Sequence, residues 1–511
     1  MNKSHLTPNR CWTIHRWSRF FSIGLVALCY FTYACFANSK ADGSAIIVPD
    51  IFSTGMVLQQ KAPIRLWVEG PEDAMVRFEL DGQSKVASYV DSRWSVEFPP
   101  RETSTKPISL KIFAGATLVR YIEDILVGEV WLASGQSNMH MRLDMTLQGA
   151  QCLKLPADPL LRAFNVDLRL MHKNGPLNTA WASSSNTTIG SWSAVGYYFS
   201  SRLRQSLKGP VAIIHCSVGA SFTETWCSPK LLSRGYPEWE SWWEKNQNDP
   251  KLMLQNKPSL CYERLLKTVM PYNVRGVIWY QGEGNSGRWA EQPRLFADMV
   301  SEWRTAWHNP ELPFYFVQLA RYQPAQWHHF RNAQRLCWEQ IPNTYMAVAV
   351  DLSKEFEIPS AIVDPQKKFH PIHPATKKPI GDRLAFAAEV LVYGQQLDHE
   401  YSGPRIKQAL RKPEGLELRF DFVGKGLKTT DGQELRGFYV AGPLEKYVKA
   451  HAKISGQQIL LSGFDIDEPT YVRYGAEMDM GKDFEVNLVN MDGLPASPFT
   501  VKVVSEVGTK N

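Results

Sequence analysis

Three polar loops in this chain each follow an apolar run, and together they carry the groups that acyl transfer requires. In Gly128-Glu-Val-Trp-Leu-Ala-Ser-Gly-Gln-Ser-Asn-Met139 an apolar strand runs into Gly135-Gln136-Ser137-Asn138. A serine just beyond a buried strand stands where a nucleophile belongs, and its own amide can help hold an oxyanion. In Gly276-Val-Ile-Trp-Tyr-Gln-Gly-Glu-Gly-Asn285 a second strand runs into a Gly-rich turn, where Gln281 or Asn285 can donate to a developing negative oxygen. His370-Pro-Ile-His-Pro374 sets histidines in a Pro-bounded loop, a place for a general base. Singly, each loop has a plainer account: a Ser-Asn helix cap, a solvated glycine turn, a surface histidine. The order carries more weight. Serine comes early, the Gly/Asn loop in the middle, histidine last, and these supply nucleophile, oxyanion donors and base.

The elements around them fit that use. From about 128 to 394, short apolar strands (Val211–Ile214, Gly276–Tyr280, Phe314–Gln318, Tyr345–Val350) alternate with helical stretches. Strands apolar on both faces and spaced by helices predict a parallel sheet covered on both sides. Active residues in such sheets lie in loops beyond the strands' C-terminal ends. Ile380, Leu384, Ala387, Ala388 and Leu391 recur at helical spacing, with Gly394 as the stop. Before this region, Ile64–Val68, Val76–Leu80 and Trp94–Phe98 read as strands, with Asp81-Gly82 and Pro99-Pro100 as turns. After it, Leu416–Phe420, Gln458–Ser462 and Phe499–Val504 return to strand character.

Composition bounds the rest. The chain has 511 residues, about three domains by size, with 44% hydrophobic and 21% charged residues, an ordinary globular balance. Four of its bases (Lys3, Arg10, Arg16, Arg19) stand in acid-free residues 1–37, so the net +6 falls to +2 without them. So little charge, with no basic run, is not the footprint of a nucleic-acid binder. An apolar run from Phe20 to small residues near Ala37 predicts a secretory signal peptide over 1–37. An uncleaved anchor competes with it, and a lipidated Cys35 is a third reading. The expected protein is periplasmic or secreted, with no stable membrane insertion once the signal is removed. Of the eight cysteines, Cys152, Cys216, Cys227, Cys261 and Cys337 lie in the body, and an odd number allows at most two bridges. No spacing suggests a metal site, and no cofactor is expected. Seventeen tryptophans offer faces that can stack on sugars, although many will be core.

The motifs resemble those of the sialate O-acetylesterase family, a branch of the SGNH hydrolases, over nearly the whole body. Gly128–Met139 is similar to its nucleophile segment and Trp279-Tyr-Gln-Gly-Glu-Gly-Asn285 to its Gln-Gly-Glu block. Asp50–Gln59, Phe330–Gln334, Val350–Leu352, Ile372–Pro374 with Gly381–Ala385, and Asn490–Phe499 also match. The resemblance implies an SGNH-type three-layer α/β/α hydrolase domain (128–396) between a β-domain (45–127) and a β-rich module (400–511). It implies removal of acetyl esters from sugar hydroxyls, with an acetylated sugar or glycan as partner. Ser137 matches the nucleophile and His373 the base. The oxyanion donors are the amides of Ser137 and Gly219 with the Asn285 side chain. Gln136, Gln281 and Glu283 are read as substrate-binding.

Three positions depart from the family pattern. Ala220 stands where a second glycine is usual, and Gly284 where serine is common. An acid two or three residues before the histidine is missing, because those positions are Pro371 and His370. Asp364 is the preferred acid, Asp351 the alternative, and a Ser–His dyad oriented by a backbone carbonyl remains open. Acetylated xylan or another polysaccharide is the alternative substrate. A glycan-binding protein with impaired catalysis is the alternative class.

Overall fold

The computed structural model describes residues 46–322, 326–352, 372–476 and 486–505. The expected signal peptide over 1–37 lies outside them. Among the described residues, no helix is long and apolar enough to cross a membrane.

The central feature is a mostly parallel run of seven strands. They are β1 (Thr117–Gly135), β2 (Asp158–Asn165), β3 (Ala182–Ser184), β4 (Val211–Ser217), β5 (Gly276–Tyr280), β6 (Phe314–Val317) and β7 (Thr344–Ala347). Their order across the sheet is β3-β2-β4-β1-β5-β6-β7, and only β3 runs antiparallel to its neighbour. β4, β5 and β6, apolar but for His215 and Ser217 at the end of β4, are buried along their whole length, as a sheet covered on both faces requires.

The register shows what covers each face. Trp131 lies opposite Gly276, and Ser134 opposite Trp279, so the two tryptophans point to opposite sides of the sheet. Trp131 packs edge-on against Phe199 of α2 (Ala194–Leu207), ring centroids 4.9 Å apart. Trp279 packs on Trp303 of α3 (Gln292–Ala306) at 5.7 Å. A turn of helix, α1 (Ser137–His140), precedes these; α4 (Trp327–Gln340) and α5 (Lys378–Leu391) follow. Gly381 lets α5 approach α2 closely, since a Cβ there would lie 2.5 Å from Tyr198 Cβ.

The expected helix at 379–392 is α5 within a residue at each end, and Gly394 ends the segment at φ +63°. The strand expected over 345–350 stops at Ala347. There the Val348 carbonyl accepts from Arg383 Nη1 (2.6 Å), a side chain rather than a neighbouring strand.

The β-rich regions fall where sequence pattern puts them. Ile64–Val68, Val76–Leu80 and Arg93–Phe98 are strands, and Asp81-Gly82 (φ +51° and +80°) turns the second into Gln83–Val86. β1 itself has 19 residues. Its first half pairs antiparallel with Ser104–Ala114, and its second half is the middle of the parallel sheet. Residues 405–504 build an eight-stranded, largely antiparallel sheet that includes Gly415–Asp421, Gln458–Ser462 and Phe499–Val504. The five body cysteines are buried and unpaired.

Candidate active site

From β1, the chain pairs with β4 on one side and β5 on the other, so the C-terminal end of β1 is a topological switch point. Ligands of open α/β sheets bind in the crevice such a point creates. Three loops meet there: the turn after β1, the loop after β4 and the loop after β5.

Gly135 closes β1 at φ +131°, and a Cβ there would lie 2.2 Å from the Tyr280 carbonyl oxygen. Only glycine lets the strand leave the sheet this close to β5. Gln136 follows in extended conformation, and Ser137 opens the helical turn α1. From the far side, His373 reaches in just ahead of α5. Its Nε2 lies 2.8 Å from Ser137 Oγ, so with Nε2 unprotonated the serine hydroxyl donates to it. The two residues are 236 positions apart in sequence.

The loop after β4 supplies backbone donors. Gly219 lies beside the serine, a Cβ built on it coming 3.9 Å from Ser137 Cβ. The N–H groups of Ser137, Gly219 and Ala220 meet no acceptor among the described residues. Ala220 takes φ +56°, a left-handed conformation that glycine adopts freely and alanine does not.

The structure places the other expected residues less directly. Asn285 is buried. Its Oδ1 accepts from Thr223 N (3.0 Å) and Gln281 Nε2 (2.7 Å), and its Nδ2 donates to Glu224 Oε2 (3.1 Å). Its amide braces the loop after β5 against the loop after β4. Gln281 is equally committed, donating to the Ser221 carbonyl and accepting from Thr223 Oγ1. Gln136 Oε1 accepts from the N–H groups of Gly282 and Gly284, both at 3.3 Å. Both glutamines are buried. Glu283 is half-buried, with one carboxylate oxygen on Asn138 Nδ2 (2.5 Å). Burial pushes its pKa up, against the opposing hydrogen bond from Asn138 and the charge of Lys377.

Asp351 forms a two-pronged pair with Arg383 of α5 (2.8 and 2.6 Å), so its carboxylate is committed to that guanidinium. Asp364, His370 and Pro371 lie outside the described residues. No group of histidine, cysteine, aspartate and glutamate side chains with metal-binding geometry occurs among the described residues.

Two features carry no sequence signal. Asn138 and Lys377 form a buried polar link across the site, although 239 positions separate them. His215 on β4 is buried, with Nε2 2.6 Å from Ser217 Oγ and Nδ1 3.2 Å from Asn165 Oδ1. His140 Nδ1 lies 3.1 Å from the Ser217 carbonyl oxygen, so a two-histidine chain underlies the loop that carries Gly219.

Residues 127–359, which include the turn carrying Ser137 and the loops after β4 and β5, match a carbohydrate esterase family described as sialic acid-specific acetylesterase. The matched segment is just under half of the chain. The sialate O-acetylesterase of Mus musculus is 25% identical over 437 residues, 72% of this chain and 77% of that one. The sialate O-acetylesterase of Homo sapiens is 26% identical over 405 residues, 71% of this chain and 72% of that one. The solved structure of a carbohydrate acetylesterase from Xanthomonas citri superposes with a TM-score of 0.76 at 28% identity, covering 89% of this chain and 99% of that one.

Proposed function

We propose that the protein is a carbohydrate O-acetylesterase that hydrolyses acetyl esters on sugar hydroxyls, sialates first among them, through a serine acyl-enzyme. The observation that carries this is Ser137 Oγ at 2.8 Å from His373 Nε2, at the switch point of the sheet and beside backbone amides that meet no acceptor among the described residues. In this reading the seven-strand sheet with its helices is the SGNH-type α/β/α layer.

Ser137 Oγ attacks the acetyl carbonyl as His373 Nε2 takes the hydroxyl proton. The carbonyl oxygen becomes an oxyanion, and the N–H groups of Ser137 and Gly219 donate to it. Each such donor is worth about 10²–10³ in rate. The C–O bond to the sugar then breaks, and His373 returns the proton to the sugar oxygen. Water attacks the acetyl-serine with His373 again as base, and acetate leaves. Every step uses this chain's own groups. The Asn285 side chain is the third donor in this reading, since its amide nitrogen carries two N–H groups.

One surface feature favours a sugar substrate. Trp289, directly after the loop Glu283–Arg288, is the one exposed tryptophan among the described residues, and it stacks on His329 at 4.7 Å. Its indole offers a flat apolar shelf at the rim. Export to the periplasm or beyond is part of the proposal and rests on the composition of residues 1–37.

The test is acetate release by purified protein from an aryl acetate, O-acetylated sialic acid and a panel of acetylated glycans including xylan. We expect Ser137→Ala to lower hydrolysis by at least about 10³-fold. Full hydrolysis in that variant overturns the nucleophile assignment.

A further inference from the structure

Asn138 is the residue after the nucleophile, and its side chain is 1% exposed. Nδ2 donates to the Ile372 carbonyl oxygen (2.8 Å) and to Glu283 Oε1 (2.5 Å), while Oδ1 accepts from Lys377 Nζ. An ammonium only donates and a carbonyl only accepts, so these neighbours fix which end of the amide faces which partner. Lys377 is fully buried and also faces the Tyr280 ring at 5.3 Å. Glu283 comes from the loop after β5, and Ile372 and Lys377 from the segment entering α5.

Two cross-links therefore run side by side between the same two pieces of chain. Ser137 reaches His373 through Oγ and Nε2, and the adjacent Asn138 reaches the adjacent Ile372 through Nδ2 and the carbonyl oxygen. The first is the reacting contact. The second holds the peptide that carries the histidine. We infer that Asn138 is a positioning residue, setting the distance between Ser137 Oγ and His373 Nε2 by clamping the Ile372 carbonyl to the nucleophile turn. Base catalysis works only within about 2.6–3.2 Å, and a displacement of about 1 Å costs on the order of 10²-fold in rate.

The inference rests on Ser137 and His373 being nucleophile and base, and the experiment separates the two claims. Asn138→Asp keeps the acceptor for Lys377 but turns a carboxylate oxygen toward Glu283 and toward the Ile372 carbonyl. Adding Glu283→Gln restores a donor–acceptor contact between positions 138 and 283 and restores the cluster's charge. It does not restore a donor to Ile372. Glu283→Gln alone, which keeps an acceptor for Nδ2, is the baseline. On an aryl acetate we expect Asn138→Asp to lower kcat about 10²-fold with KM changed less than about threefold. We expect the double variant to regain thermal stability while its kcat stays at least about tenfold below Glu283→Gln. If kcat returns together with stability, Asn138 acts only through folding and the inference fails. Should the carboxylate variants not fold, Asn138→Ser, uncharged and too short to reach Ile372, gives the same readout. A kcat loss at unchanged KM supports the clamp, and full kcat overturns it. Hydrolysis surviving in Ser137→Ala would instead remove the functional reading itself.

Discussion

At the scale of single residues, the site combines a Ser–His pair that chemistry makes visible with a supporting set that it does not. Serine after a buried strand and histidine before a helix can be picked out because few residue types serve as nucleophile and base. Asn138, Lys377 and Glu224 cannot, since their roles come from partners that only the fold brings near. Asn285 shows the same limit from the other side: its type suits an oxyanion donor, and only the fold shows that its amide also holds the buried carboxylate of Glu224. Ala220 is where residue type and backbone disagree. Left-handed φ costs a non-glycine residue about 1–2 kcal/mol, and glycine's greater freedom in the unfolded chain returns part of that. Ala220→Gly should therefore stabilise the protein by up to about 1 kcal/mol. Urea unfolding checks this, and a lower midpoint would show that the conformation costs alanine little here.

At the scale of elements, strands declared themselves wherever an apolar run was buried on both faces, as in β4, β5 and β6. Strand ends were less legible, because the sequence does not reveal that Arg383 takes the Val348 carbonyl. Nor does it mark His215, a titratable group inside the apolar run of β4. Burial, with a smaller contribution from His140, lowers the His215 pKa to about 3. An unfolded chain binds that proton near pH 6.5, so between about 6.5 and 3 the unfolded state holds more protons than the fold. Stability should thus fall on acidification through that window, by up to about 1.4 kcal/mol per pH unit from this group. Urea midpoints at several pH values should fall less steeply for His215→Gln than for wild type, and equal slopes would refute the assignment. The loop after β5 gives a second prediction. Trp289 directly follows the Glu283–Arg288 turn, whose first residue accepts from Asn138 beside Ser137, and under the proposed function its exposed indole packs on the sugar. Trp289→Ala should raise KM for an acetylated glycan about tenfold, equivalent to ~1.4 kcal/mol, with a smaller effect on an aryl acetate. Equal effects on both substrates would remove the shelf from the sugar site.

At the scale of the whole molecule, the sequence suggests three regions, but the contacts between them resemble an interior. β1 runs without a break from the first β-region into the centre of the parallel sheet. Around it, Tyr272 Oη donates to the Val57 carbonyl (2.5 Å), Trp181 Nε1 to the Ile51 carbonyl (2.7 Å), and the buried Arg162 to the carbonyls of Gly55 and Asp124. On the other side, α4 holds the C-terminal sheet: the fully buried Arg331 donates to the Gly475 carbonyl (2.5 Å), and Asn332 Oδ1 accepts from Thr500 N (2.9 Å). Gln318, just past β6, donates to Ser497 Oγ (3.2 Å). A single hydrophobic cluster extends from Val48 to Phe499. Separating any region would expose apolar surface worth about 25 cal/mol per Å² and strand buried donors at about 1–3 kcal/mol each. Regions that lose this much on parting cannot melt one at a time. Calorimetry should therefore give one transition whose calorimetric and van't Hoff enthalpies agree, and a chain beginning at residue 128, cut within β1, should not fold. Two resolved transitions, or a soluble and active fragment from 128 to 396, would mean that the catalytic layer stands alone and the β-regions are attachments to it.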